Sequence, residues 1–310
     1  MTRRRQAAQW LLASGLLALR EQASAAPAAS ATPAKPTERA EAQVLRTPRL
    51  GLALGGGSAR GFAHIGVLKS LEQAGIRPET VAGTSAGSLV GAFWCAGFSA
   101  WQMEEVALRT REVDLSDLSP GSRRGLMAGD ALARFVNDTL KGARIEDLKT
   151  RFGAVATDLR TGETVLLRSG SVADAVRASC SIPGVFVPRE LGGRELVDGG
   201  LVSPLPVRSV RQLGADVVLA VDVAAKPARS QVPGMYEIIM QSFEIMGRAL
   251  ADQEATTAQL VIRPTTSAFA ASDFNQRKEL IQAGYEAAQQ ALPALKRLLA
   301  TPVARPARAA

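Results

Sequence analysis

Two strand–glycine–helix units stand side by side near the start of the globular part of this chain, and they leave few folds open. Residues 49–54 are a short apolar strand running into Gly55-Gly56-Gly57. Residues 59–74 follow with Phe62, Ile65, Leu68 and Leu71 near helical spacing, and Gly75 supplies the stop. Residues 80–82 form the next strand, which enters Gly83-Thr84-Ser85-Ala86-Gly87 and then an apolar helix over 85–96. Consecutive units of this kind build parallel strands joined by right-handed crossovers.

The rest of the chain continues the alternation. Strands are expected at 152–157, 163–168, 195–197, 216–223 and 260–262. Helices are expected at 171–180, capped by Ser171, and at 206–213, 235–257 and 275–299. Residues 115–129, with Ser119-Pro120-Gly121, carry loop chemistry that reads either as a mobile cover over a site or as a surface connection. No internal repeat is visible. The pattern predicts one layered α/β domain with a mostly parallel central sheet flanked by helices. Apolar residues in 235–246 read as core, with the lining of an acyl channel as the alternative.

Composition narrows function. The chain is 46% hydrophobic and 21% charged, which are globular proportions. Its 37 basic against 29 acidic residues give +8, but much of the excess is terminal and aromatics are only 5%. No nucleic-acid partner is expected; a mild preference for anionic surfaces is compatible with the charge. Arg3-Arg4-Arg5, the apolar run 7–19 and Ala23-Ser24-Ala25 read as a signal peptide over 1–25, which implies a periplasmic or secreted protein. An uncleaved anchor is the rival reading, although the run is shorter than the ~20 residues of a membrane span. Residues 26–48 are Ala- and Pro-rich and read as a disordered linker, 49–300 as the domain, and 301–310 as a disordered tail. Cys95 and Cys180 lie in apolar surroundings and read as buried thiols. No metal-ligand spacing occurs, so no metal or cofactor is expected.

Three features follow apolar strands, where open parallel sheets place their ligands: the glycine run, Ser85 and Asp198. The glycine run fails as a dinucleotide fingerprint, because the third glycine comes one residue late and no acid closes the following strand. It suits an oxyanion hole instead, with bare amides at a helix N-terminus. Arg60 would hold that loop or bind an anionic head group. Gly83-Thr84-Ser85-Ala86-Gly87 fits the turn that lifts a nucleophilic serine out of a strand. A histidine base should follow later in the chain, yet the only histidine is His64, upstream of Ser85. His64 reads as a structural contact under the glycine loop. The base is then a carboxylate or a lysine: Asp198 stands clear beside two glycines, while Asp158, Asp222 and Lys69 compete.

Gly55-Gly56-Gly57-Ser58-Ala59-Arg60-Gly61, Gly83-Thr84-Ser85-Ala86-Gly87 and Asp198-Gly199-Gly200, in that order, resemble the patatin-like phospholipase family, as does Ser179-Cys180-Ser181-Ile182-Pro183-Gly184. The resemblance implies a patatin-like three-layer fold and a serine lipid acyl hydrolase of phospholipase A or lysophospholipase type. It maps the nucleophile to Ser85, the base to Asp198, the oxyanion loop to Gly55, Gly56 and Gly57, and the basic residue to Arg60. It also implies a lipid or phospholipid substrate and contact with a membrane surface. One extra residue precedes Arg60 relative to the tighter plant form, which leaves open which amides point inward. A non-catalytic lipid-binding or scaffold protein on the same fold is the alternative.

Overall fold

The strand Leu50–Leu54 reads Leu-Gly-Leu-Ala-Leu, so alternate side chains place three leucines on one face and two small residues on the other. The leucines pack under helices that carry Ala63, Leu68, Val90 and Leu295. Ala53 faces Val207, Val210 and Ala251 from helices on the opposite side. Gly51 is required there, because a Cβ would sit 2.2 Å from Val210 Cγ1. Both faces of the strand are therefore covered, which makes three layers.

The computed structural model describes residues 45–224, 234–271 and 273–304. In chain order the main sheet contains β1 (Leu50–Leu54), β2 (Thr80–Thr84), β3 (Arg151–Asp158), β4 (Thr164–Leu167), β5 (Arg189–Leu191), β6 (Arg194–Asp198), β7 (Val217–Val221) and β8 (Leu260–Ile262). The helices are α1 (Phe62–Gln73), α2 (Ala86–Ala96), α3 (Ala100–Arg109), α4 (Asp130–Thr139), α5 (Val172–Ser179), α6 (Val207–Gln212), α7 (Met235–Ala255) and α8 (Arg277–Ala300). The strand order is β8-β7-β1-β2-β3-β6-β5, with β4 also on β3. The pairs from β8 across to β3 are parallel; β3 with β4, β3 with β6, and β5 with β6 are antiparallel. The expected α/β architecture is what the chain adopts.

One strand organises the site. β3 is eight residues long, and β4 pairs with its residues 154–157. β2 and β6 overlap that stretch, so both must lie on the other edge of β3, one after the other. Thr84 is opposite Val155, and Asp198 is opposite Ala156. The end of β2 and the end of β6 thus meet at adjacent positions of the same strand.

Helix α1 crosses α8 at very close range. A Cβ on Gly66 would lie 1.8 Å from the Ile281 carbonyl oxygen, and one on Gly284 would lie 1.9 Å from that of Ala63. The two glycines let the backbones touch.

Some boundaries differ from expectation. The linker expected over 26–48 is ordered from Leu45 onward: Leu45–Arg46 pairs antiparallel with Val303–Ala304, which also takes in part of the expected tail. Arg46 anchors this pair with a bidentate contact to Asp216, at 2.6 and 2.8 Å. The expected signal peptide, and any uncleaved anchor, lie outside the described residues. Among the described residues no helix is long and apolar enough to cross a membrane. Residues 115–129 contain a short strand, Gly125–Met127, that pairs with Gly184–Phe186. Cys95 and Cys180 are buried and free.

Candidate active site

Ser85 sits between β2 and α2 with φ 53° and ψ −125°, a conformation that strains a residue bearing a Cβ. The motif's glycines make the turn possible. A Cβ on Gly83 would lie 2.3 Å from the Gly87 carbonyl oxygen, and one on Gly87 would lie 2.2 Å from that of Leu54. Strand, turn and helix can approach this closely only without those side chains.

The strained residue is held on both sides. Its N–H donates to Ser179 Oγ at 2.9 Å, and Ser179 Oγ donates onward to the Val155 carbonyl at 2.6 Å. Its carbonyl accepts from Ser88 Oγ at 2.7 Å. Just upstream, Thr84 Oγ1 donates to the Ser203 carbonyl at 2.7 Å. These are buried side chains. The N-terminus of α2 begins at Ser85 with no acidic residue in its first turn, so its dipole favours developing negative charge there.

Asp198 ends β6. Its N–H donates to the Ser181 carbonyl at 2.9 Å, and its carbonyl accepts from Thr157 Oγ1 at 2.8 Å. Oδ1 accepts the Gly200 N–H at 2.7 Å, while Oδ2 is buried with no hydrogen-bond partner. Burial raises the carboxyl pKa from 3.8 to about 6, against the opposing pull of the Ser85 hydroxyl and the Gly200 amide. Both side chains line the same cleft, and no hydrogen bond of full geometry joins them.

The competing bases are engaged elsewhere. Asp158 Oδ1 accepts the amides of Arg160 and Thr161, closing a turn. Asp222 is buried between Arg248, at 2.7 Å, and Arg263, at 3.1 Å. Lys69 pairs with Glu104 at 2.6 Å and lies over the Trp101 ring. His64 is fully buried, and its Nε2 donates to the Gly55 carbonyl at 2.8 Å. Burial pushes its pKa down to about 4, so it is neutral and supports the loop from below.

The glycine loop needs a correction. The Gly55 amide donates to the Val221 carbonyl at 3.0 Å, and the Gly56 amide to that of Pro204 at 2.9 Å. Neither can face a substrate. The next two amides, of Gly57 and Ser58, have no partner among the described residues, and both residues line the cleft. Ser58 takes a positive φ of 49°, which turns the backbone at that point. Gly55 and Gly56 are framework; a Cβ on Gly56 would come 3.5 Å from Ser85 Cβ. Arg60 is buried and holds the loop, donating to the Phe269 carbonyl at 2.9 Å and pairing with Glu244 at 3.5 Å.

Ser85, Asp198, Gly57 and Ser58 share one cleft of about 160 Å³. Ile182, Pro183, Leu201, Phe243 and Met246 give it apolar walls. Glu244 and Arg248 also line it, so the cleft combines apolar walls with a few charged and polar groups, among them the Ser85 hydroxyl, the Asp198 carboxylate and two open amides.

A family model described as "Patatin-like phospholipase" matches residues 52–211, more than half of the chain. The chain belongs to this family. An uncharacterized NTE family protein of Mycobacterium tuberculosis is 38% identical over 197 residues, covering 61% of this chain and 54% of that protein. Human patatin-like phospholipase domain-containing protein 6 is 29% identical over 278 residues, covering 79% of this chain and 20% of that protein. The chain therefore spans about half the length of the first relative and a fifth of the second. VipD from Legionella pneumophila has the same fold, with a TM-score of 0.55 at 15% identity over 81% of this chain and 68% of that one.

Several supporting residues of this patatin-like site were not singled out from the sequence. Ser179 holds Ser85. Cys180 is buried beside Ser88, Ser85 and Asp198, and burial pushes its thiol up to about 12. Glu254 accepts from Ser203 Oγ at 2.5 Å and from the Leu205 amide at 2.9 Å, fixing the loop that engages Thr84 and Gly56. In the sequence Cys180 reads only as a buried thiol, and Ser179 stands out only through its family likeness. Glu254 carries no local signal at all.

Proposed function

We propose that this patatin-like chain is a serine lipid acyl hydrolase of phospholipase A or lysophospholipase type, with Ser85 as nucleophile and Asp198 as base. The observation that carries the reading is the pairing of a strained serine with a buried carboxylate whose Oδ2 has no partner. Asp198 takes the proton as Ser85 Oγ attacks the ester carbonyl carbon. The amides of Gly57 and Ser58 and the dipole of α2 stabilise the oxyanion. Collapse breaks the bond to the alcohol, which leaves with the proton from Asp198. Water then attacks the acyl-enzyme, returning its proton through Asp198 to Ser85 and releasing the fatty acid.

Ser85→Ala should lose turnover of a chromogenic acyl ester by several orders of magnitude and should no longer be labelled by a fluorophosphonate. A wild-type chain that resists the fluorophosphonate and hydrolyses no ester would make the protein a lipid-binding or scaffold member of the family.

A further inference from the structure

Around residues 244–248 helix α7 reverses the usual arrangement, although Ala251 and Ala255 further along are buried in the core. A helix packed on a soluble protein normally turns its charges to water and its apolar stripe to the core. Here Glu244 and Arg248 turn inward, to Arg60 and to buried Asp222. Ile238, Ile245 and Met246 face solvent, at 54%, 53% and 52% exposure. With exposed Ser242 and Ala249 they form one uncharged strip at helical spacing. Met246 and its neighbour Phe243 also wall the cleft that holds Ser85.

A second element next to the cleft also exposes apolar side chains. Ile182 and Pro183 line the cleft, and the Gly184–Phe186 strand that follows pairs with Gly125–Met127. On this flap Leu118 and Leu126 are 82% and 60% exposed. Buried Arg177 fixes its base by donating to the carbonyls of Ala128 and Val187. At its tip Arg124 pairs with Glu195, while exposed Arg123 has no acidic partner among the described residues. Ten large hydrophobic side chains are exposed among the described residues, and five of them stand on these two elements beside the cleft.

From this concentration we infer that Ile238, Ile245 and Met246 of α7, with Leu118 and Leu126 of the flap, dock the mouth of the cleft onto an anionic lipid bilayer. The occupant follows from continuity with the cleft, which Met246 walls while it stands exposed on the strip, and from local charge: the strip carries none, and exposed Arg123 at the flap tip has no acidic partner among the described residues. Apolar side chains enter the acyl boundary while arginine meets the head groups. The inference rests on the reading of Ser85 as a lipid hydrolase.

An environment-sensitive fluorophore on Ile245→Cys tests it, since both native cysteines are buried. The same label on Asp147→Cys, beside the opposite end of β3, is the control. Vesicles of phosphatidylglycerol and phosphatidylcholine should shift the emission of the first label to the blue and leave the second unchanged. Both labels shifting alike, or neither shifting, overturns the inference. In parallel, Ile238→Glu/Ile245→Glu and, separately, Leu118→Asp/Leu126→Asp should lower hydrolysis of vesicle lipid by about tenfold or more while sparing a soluble chromogenic ester. Equal rates on vesicles for all chains also overturn it, as does a concentration-dependent dimer that these variants abolish. Loss of soluble-ester turnover in the unmodified chain would strike the hydrolase reading instead, and the label shift would still report on docking.

Discussion

Replacing Asp198 by Asn should remove catalysis and, above mildly acidic pH, make the fold more stable. Burial raises the Asp198 carboxyl from 3.8 to about 6. Its folded pKa therefore lies above its unfolded one, so between pH 3.8 and about 6 the native state holds a proton that the unfolded chain has released. Stability then falls as pH rises through that window, and the loss is complete above it. The displacement corresponds to about 3 kcal/mol, because Asp198 is nearly fully buried and little screened. Asn carries no charge and escapes this loss. Denaturant unfolding of both chains from pH 3.5 to 8 should show curves that nearly coincide at the acid end and separate to about 3 kcal/mol by pH 7. In the wild type, turnover should rise with pH and level off above about 6, as Asp198 ionises. A stability difference that does not change with pH, or an Asn variant less stable throughout, would refute the account of this carboxylate as a charge held against its surroundings.

Two further outcomes follow from the packing. Ser179→Ala leaves the Ser85 N–H and the Val155 carbonyl without their hydroxyl partner, at about 1–3 kcal/mol; kcat should fall sharply with KM little changed, and Ser179→Thr should restore part of the rate. Retained kcat in the Ala variant would remove Ser179 from the positioning role. Gly66→Ala should lower stability by about 3 kcal/mol or more by forcing α8 off α1, with the midpoint of thermal unfolding as the measure; an unchanged midpoint would mean that the crossing is not as tight as the 1.8 Å approach requires.

The architecture was largely legible, because strands buried on both faces are short continuous apolar runs. Leu260–Ile262 matches its expected bounds, and the Ser171 cap donates its purpose locally by accepting the Asp174 N–H. Two helices were missed for physical reasons. α3 buries only Ala100 and Met103, so its apolar periodicity is faint. α4 starts from Gly129, at the end of a segment rich in turn residues. The hairpin of β5 and β6 was missed although Gly192 and Gly193 both adopt positive φ between them.

At the site, Ser85 and Asp198 could be picked out because each follows a strand. Which glycine amides face the cleft could not, since that depends on the carbonyls of Val221 and Pro204, which come from distant parts of the chain. The reading of α7 as core failed for a related reason. The apolar pattern places Ile245 and Met246 in the core, but the helix turns Glu244 and Arg248 inward because their partners, Arg60 and Asp222, lie there. The side chains at 235–237, 239 and 240, part of the same reading, lie outside the described residues.

The split edge of β3 has a consequence for how this fold tolerates change. Thr84 and Asp198 are both fastened to neighbouring residues of one strand, and the chain between them leaves that strand and returns to it. Lengthening the 115–129 segment, or exchanging it for another, should therefore leave both ends of the pair in place. The two halves of the proposed site are thereby positioned by one strand rather than by the length of the chain that separates them.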